Sequence, residues 1–340
     1  MGDDFPSYRI HNSRLPLGYI YPVITETLNA YLDEEDISNS SVIQWGRRSV
    51  EGGAWWYGVE KVLPAKRELA LQQRQQRVID LYLDIKNNGY NGSVISIFFD
   101  DDGNIKVYDG FHRLAIMKYL GMEEMINCQT SKRKAPFPLV ERLIELNNGR
   151  NLYQPCDDKR LDGFHVWRKD SPLRLAFVLR ALTGETVLDI GCAEGYFSRE
   201  IAKQGYQVTA LDSNRKRLSV ARHLSIINNL DVEHCMDRWQ NYITDKGFHN
   251  ILYLSVFHHD ILSVGVEAAF KQLEQFRGHV KRLFFESPIA SKKISWASEN
   301  DGNQYDFTED EFKAKIEAAT GMTVIDVWRG GRPLFLLESL

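Results

Sequence analysis

Two rhythms divide the chain. From residue 186 onward, short β-rich apolar runs alternate with helix-period stretches: Thr186–Ile190, Gln207–Leu211, Val232–Met236, Asn250–Leu254 and Arg282–Glu286 read as strands, with helices over Tyr196–Lys203 and Arg215–Asn228 between the first three. That alternation predicts an α/β unit with a largely parallel sheet. Ser171-Pro172 opens a preceding helix whose apolar positions are Leu173, Leu175, Phe177, Val178 and Leu182, stopped at Gly184. At the far end, Thr308 and Glu311 form a capping box for a helix to Ala319, and Met322–Trp328 with Pro333–Leu337 reads as a hairpin around Gly330-Gly331.

The first 135 residues carry a different pattern. Little periodicity marks residues 1–50, apart from an amphipathic helix over Ile20–Leu32. A longer helix then carries Leu69, Val78, Leu81 and Ile85 and stops at Asn87-Asn88-Gly89. Ser93–Phe99 and Ile105–Tyr108 pair around the turn Asp101–Asn104. A glycine turn and a helix with Leu114, Met117 and Leu120 inward occupy Asp109–Met122, and a helix over Leu139–Asn147 bridges onward. Two stretches stand apart: the aromatic-rich Asn151–Trp167, without clean periodicity, and the long polar loop 289–307 with Trp296 and Tyr305, of a length expected of a functional lid or of disorder.

Composition sharpens this picture. The 340 residues have room for two domains, and 43% hydrophobic with 26% charged residues is an ordinary globular balance. A net charge of −4 provides no global basic field, which argues against nucleic acid as partner. No run approaches the ~18 apolar residues of a membrane helix, and the opening MGDDFPSYRI is not signal-like, so a cytoplasmic location is expected. Cys128, Cys156, Cys192 and Cys235 lack C-x-x-C spacing and are expected as reduced thiols, with no metal site.

The chemistry concentrates in TVLDIGCAEGYFS, Thr186 to Ser198. Strand, glycine turn and helix follow one another, and Gly191 and Gly195 leave the backbone bare for a ligand beside the new helix's free N–H groups. Asp212 closes the next strand, where α/β cofactor folds hold a ribose diol. The glycines stand four apart with Asp189 ahead of them, a poor match to the G-x-G-x-x-G of a pyrophosphate cradle. The motif resembles that of class I S-adenosylmethionine-dependent methyltransferases. The resemblance implies a Rossmann-like seven-stranded sheet with an antiparallel C-terminal hairpin. It places Gly191, Cys192 and Gly195 around the methionine part of the cofactor, Asp189 near its amino group, Asp212 on the ribose and Asp237 on the adenine amine. Ser255, Phe257, His258 and His259 follow the fourth strand and should face the sulfonium, because open α/β sheets bind ligand beyond the carboxyl ends of their strands. With an ordinary pKa of about 6.5, His258 or His259 suits removal of a hydroxyl proton from a small or sugar-conjugate acceptor; adjacent side chains diverge, so one of the two at most serves.

A second motif, Asp109-Gly110-Phe111-His112-Arg113, puts an imidazole and a guanidinium on the first turn of a helix, a seat for phosphate. It resembles the ParB/sulfiredoxin superfamily, whose related turn holds nucleotide phosphates, and implies a small α+β domain; Phe111 stands where the sulfinic-acid reductases need a cysteine. Two alternatives remain open at this point: a phosphate or nucleotide seat, or a structural turn with Asp109 as helix cap and Arg113 paired with Glu123 or Glu124. If the domain acts on a nucleotide with magnesium, Asp109, Glu60 and Glu68 are the nearest carboxylates. The expected layout is an arm over 1–50, the phosphate-binding domain over 51–135, a connector over 136–164 and the methyltransferase domain over 165–340. Three functions remain in contention: methyl transfer with a second, phosphate-binding domain; a bifunctional protein with kinase or nucleotide-hydrolase activity; and a nucleotide-binding regulator with a vestigial methyltransferase domain.

Overall fold

The computed structural model describes residues 6–149, 151–243, 247–290 and 305–339. Most of the polar loop read as a lid, Trp296 included, lies outside them. The chain divides into two compact units, residues 1–100 with 105–137 and residues 101–104 with 138–340.

In the first unit, β1 (Ser7–His11) is followed by α1 (Ile20–Leu32), α2 (Ser41–Glu51), α3 (Arg67–Asn88), β2 (Ile95–Phe99), β3 (Ile105–Asp109), α4 (Phe111–Tyr119) and β4 (Met125–Thr130). The sheet runs β1-β4-β2-β3; β2 and β4 are parallel and the other pairs antiparallel. Because β1 pairs with β4 from Ser7↔Gln129 to His11↔Met125, residues 7–11 belong to this sheet and not to a separate arm. On α3 the inward face is Leu71, Gln75, Val78, Ile79, Tyr82 and Ile85, while Leu69 in the first turn is exposed. The C-cap is Gly89 at φ 77°, the left-handed stop expected from Asn-Asn-Gly.

In the second unit, α5 (Leu139–Leu146) leads to a short parallel pair, β5 (Asn151–Leu152) and β6 (His165–Val166), and to α6 (Ser171–Ala181). The main sheet is built from β7 (Thr186–Ile190), β8 (Gln207–Leu211), β9 (Val232–Cys235), β10 (Phe248–Leu254), β11 (Val280–Glu286), β12 (Thr323–Trp328) and β13 (Leu334–Glu338). Between them lie α7 (Tyr196–Ala202), α8 (Arg215–Ile227), α9 (Trp239–Tyr242), α10 (Phe257–Val264), α11 (Val266–Gln272) and α12 (Glu309–Thr320). The order is β12-β13-β11-β10-β7-β8-β9, parallel except where β13 runs antiparallel to β11 and β12. The connections change direction at β7, leaving a crevice beyond the carboxyl ends of β7 and β10, where such sheets hold ligands.

Alternation along the central strands feeds two cores. Leu188, Tyr253 and Phe285 join Phe257, Phe276 and Phe312 on one face, and Val187, Leu252 and Phe284 join Phe197 and Leu336 on the other. On α6 the expected apolar Leu173 is 64% exposed while Arg174 is buried, an inversion explained by the ion pairs described below. Among the described residues no helix is long and apolar enough to cross a membrane.

Candidate functional site

The turn after β7 is shaped by three left-handed residues, Gly191 (φ 67°), Ala193 (φ 52°) and Gly195 (φ 74°). A Cβ at Gly191 would stand 2.4 Å from Val256 Cγ2, and one at Gly195 would stand 2.9 Å from Ala221 Cβ. Both glycines are therefore required by close approach as well as by φ. The Gly191 and Cys192 N–H groups donate to the Leu211 carbonyl at 2.8 and 3.1 Å, fixing the turn to β8. Asp212, one residue beyond β8, is buried and accepts from the backbone N–H of Ala193 at 2.9 Å and of Asn214 at 2.7 Å. Burial raises its pKa against those two hydrogen bonds.

Asp189 is buried at the end of β7, and Ser198 on α7 donates to it at 2.5 Å. Its partner in this structure is thus a hydroxyl of the helix after the turn. Burial pushes its carboxyl up to about 7, with the Ser198 hydrogen bond opposing. Glu194, also fully buried, pairs with Arg217, and burial raises it as well. Cys192 is a buried thiol, raised by burial and by Asp212 and Asp189. Asp237 is exposed two residues after β9, accepting from the Arg238 N–H at 2.7 Å and from Asn241 Nδ2 at 3.1 Å. These residues line the carboxyl ends of β7, β8 and β9, as their order in the sequence dictates.

Ser255 follows β10 with φ 60°, a left-handed conformation that a serine adopts only when its surroundings hold it there. Its N–H donates to the Glu286 carbonyl at 2.8 Å and its Oγ to Glu286 Oε1 at 2.8 Å. Glu286, at the end of β11 and 0% exposed, also accepts from Arg168 Nη2 at 3.3 Å and from Arg174 Nη1. Arg168 grips Asp170 with Nε and Nη2, both at 2.9 Å, and reaches Ser255 Oγ with Nη1 at 3.0 Å. Arg332 comes from the β12–β13 turn, its Nη1 3.4 Å from Ser255 Oγ and 3.9 Å from Glu286 Oε1. Arg168, Asp170, Arg174, Glu286 and Arg332 were not singled out in the sequence. The one available signal was an acid closing a central strand, Glu286 on β11, the same cue that selected Asp212.

His258 and His259 open α10 with ring centroids 4.3 Å apart. His258 is buried and His259 exposed, as their adjacency requires. Burial first, then His259, Arg332 and Arg168, push His258 down to about 3; burial also lowers His259, against the pull of Asp260. Both imidazoles are held toward the neutral form, and His258 far below the ordinary value that made it attractive as a base.

In the first unit, Gly110 caps α4 at φ 102°, with no side-chain cap from Asp109. Arg113 Nη1 donates to Ser93 Oγ at 2.6 Å and to the Val94 carbonyl at 3.4 Å, while Nη2 lies 3.7 Å from Asp109 Oδ2. Asp109 thus takes the place expected of Glu123 or Glu124 in the structural alternative. His112 Nε2 meets Tyr57 Oη at 3.3 Å, the rings 5.3 Å apart, and burial lowers the imidazole's pKa. Tyr57 is itself left-handed at φ 49°, with the Arg74 guanidinium 5.8 Å from its ring. Glu60 accepts from the Trp56 N–H at 3.1 Å and Glu68 pairs with Arg47 at 3.0 Å. Among the described residues no group of three His, Cys, Asp or Glu side chains stands ready for a metal ion.

Comparison with known proteins places this geometry. Residues 187–281 match the family model described as a methyltransferase domain. A ubiquinone biosynthesis O-methyltransferase of Yersinia pestis is 29% identical over 147 residues, 42% of this chain and 59% of the relative, so the chain spans about three fifths of that relative's length. Among solved structures, the bifunctional kinase-methyltransferase WbdD aligns at TM-score 0.48 with 23% identity, over 59% of this chain and 46% of that one. Magnesium protoporphyrin IX methyltransferase from Synechocystis PCC 6803, solved with bound S-adenosylmethionine, aligns at TM-score 0.39 with 17% identity, over 49% of this chain and 77% of that one. The likeness to a methyltransferase domain thus falls within the second unit, over residues 187–281.

Proposed function

We propose that the protein transfers a methyl group from S-adenosylmethionine to an oxygen of a small hydroxylated or sugar-conjugate acceptor, and that its first unit resembles the ParB/sulfiredoxin fold and grips a phosphate-bearing ligand. The observation that carries the first part is the turn at 191–195. Two glycines that admit no Cβ leave bare backbone beside Asp212, a buried carboxylate at the end of the adjacent strand. The residues present fit the cofactor: Gly191, Cys192 and Gly195 would border its methionine part, Asp212 the ribose and Asp237 the adenine. Asp189 supports the turn through Ser198 and would act on the amino group from behind it. When bound, the sulfonium supplies an electrophilic methyl carbon and leaves as a neutral thioether.

The chain's own residues then hold the acceptor oxygen in line and remove its proton. Of the two histidines, His259 suits proton removal better: burial lowers the pKa of both, but His259 is exposed and Asp260 opposes the shift, while His258 is pushed down to about 3. The hydroxyl proton passes to the imidazole as the new C–O bond forms. N-methylation has less use for such a base, which favours oxygen.

Calorimetric titration with S-adenosylhomocysteine and with NAD tests the reading: the first should saturate and the second should not. Asp212→Ala should weaken S-adenosylhomocysteine by about 1.5–3 kcal/mol, the scale of lost charged hydrogen bonds. Saturation by NAD alone would overturn the proposal.

A further inference from the structure

We propose that Arg332, seated beside Arg168, reads an acidic group on the methyl acceptor, so that the acceptor is a carboxylate- or phosphate-bearing molecule. This rests on the methyltransferase reading and deepens it. Three guanidiniums, Arg168, Arg174 and Arg332, meet at Glu286, two of them also reaching Ser255, and Asp170 is the second carboxylate bonded to them among the described residues. Glu286 already accepts from Arg168, Arg174 and the Ser255 hydroxyl, and Asp170 is taken by the fork of Arg168 and by Arg174. Arg332 is left with the longest contacts of the set, 3.4 Å to Ser255 Oγ and 3.9 Å to Glu286 Oε1. Its side chain is 35% exposed, against 10% and 2% for Arg168 and Arg174. Counted over the described residues, the cluster carries one surplus positive charge, and Arg332 is its most exposed guanidinium.

The position of that charge gives it a use. Ser255 is the residue between β10 and the segment leading to His258 and His259, at the carboxyl end of the sheet where the acceptor is expected. Arg332 arrives from the β12–β13 turn, and a Cβ at its neighbour Gly331 would stand 3.5 Å from Asp170 Oδ2, so this turn is packed onto the cluster. A planar guanidinium with free donors, backed by a second held rigid through Asp170, matches the bidentate geometry of carboxylate or phosphate.

The same chemistry has two possible sources, the acceptor or the carboxylate of the cofactor's methionine, and the experiment separates them. Protein saturated with S-adenosylhomocysteine is titrated with matched acid and neutral probes: 3,4-dihydroxybenzoate against catechol, and mannose 6-phosphate against mannose. At least one acid should bind ten times or more tightly than its neutral partner. Arg332→Ala should abolish that preference and Arg332→Glu reverse it, while Arg332→Lys keeps part of it. In all three variants the affinity for S-adenosylhomocysteine should stay near that of the parent, and so should the unfolding midpoint of Arg332→Ala and Arg332→Lys, whereas Arg332→Glu, which sets a carboxylate beside buried Glu286, lowers its midpoint. No preference for any acid overturns the inference. A tenfold loss of S-adenosylhomocysteine affinity in Arg332→Ala assigns the guanidinium to the cofactor and overturns it too. Failure of the parent to bind S-adenosylhomocysteine at all would instead sink the methyltransferase reading.

Discussion

Asp189 and Asp212 end neighbouring strands of one sheet, yet their surroundings give them different work. Asp212 keeps two backbone N–H donors and remains suited to a ribose diol, whereas Asp189 is enclosed and faces a single hydroxyl. With its folded pKa at about 7, raised by burial above the ordinary carboxylate value, Asp189 makes the protein more stable in the protonated form. Its contribution is fully present below about pH 4 and is lost as pH rises toward 7, the reverse of a salt-bridged carboxylate. Asp189→Asn should therefore flatten the decline in stability between pH 5 and 7.5, read as the shift in urea midpoint between the two. An unchanged decline would mean that the carboxyl is already ionised at pH 5. At this scale the sequence showed which residue types carry chemistry but not their partners. Neither Ser198 as the partner of Asp189, nor the gathering of Arg168, Arg174 and Arg332 on Glu286, follows from spacing, because those partners come from five different segments.

Elements were more legible. The strands at 186–190 and 207–211 and the helix at 20–32 form where the apolar pattern puts them, and the capping box of Thr308 and Glu311 opens α12 with both reciprocal hydrogen bonds. The miss on α6 has a physical reason: Arg174 on its buried face is neutralised by Glu286 and Asp170, a compensation no hydrophobic pattern records. Likewise α2 and α10 were unread, the first because its buried residues are only Val42, Ile43 and Gly46, the second because its residues follow the fourth strand directly and were read for their chemistry alone. The turn between β7 and α7 gives the element-scale prediction. Gly191→Ala adds a Cβ 2.4 Å from Val256 Cγ2 at φ 67°, and Gly205→Ala adds one at φ 89° with nothing within 4 Å. Both meet backbone strain of about 1–3 kcal/mol, but only Gly191→Ala should also lose S-adenosylhomocysteine affinity, by tenfold or more. Equal affinities in the two variants would show that the turn does not approach the cofactor.

At the scale of the whole molecule, the chain divides into two compact units, and the sequence carries two patterns along its length. Strand β1 brings residues 7–11 into a sheet through backbone pairing with β4, Arg9 standing opposite Asn127, and such long-range pairing leaves no local trace. The first unit's function is a proposal, and its residues bear unequally on the two forms it could take. Nucleotide hydrolysis needs carboxylates free for magnesium. Glu60 accepts from the Trp56 N–H through one oxygen and Glu68 pairs with Arg47, while Asp109 is exposed with only the loose Arg113 contact, and no group of three such side chains stands ready for a metal among the described residues. Gripping a phosphate needs only donors: the left-handed Gly110 turn, His112 against the strained Tyr57, and Arg113, whose side chain is 22% exposed and whose Asp109 contact, at 3.7 Å, is loose. Incubation with ATP or CTP and magnesium should thus release no diphosphate beyond the buffer rate. The same nucleotides should bind in a titration, and Arg113→Ala should weaken them by tenfold or more. Diphosphate release abolished by Asp109→Asn would establish an enzyme in place of a grip. Binding unaltered by Arg113→Ala would return the turn to a purely structural role, with its guanidinium serving only Ser93, the Val94 carbonyl and Asp109.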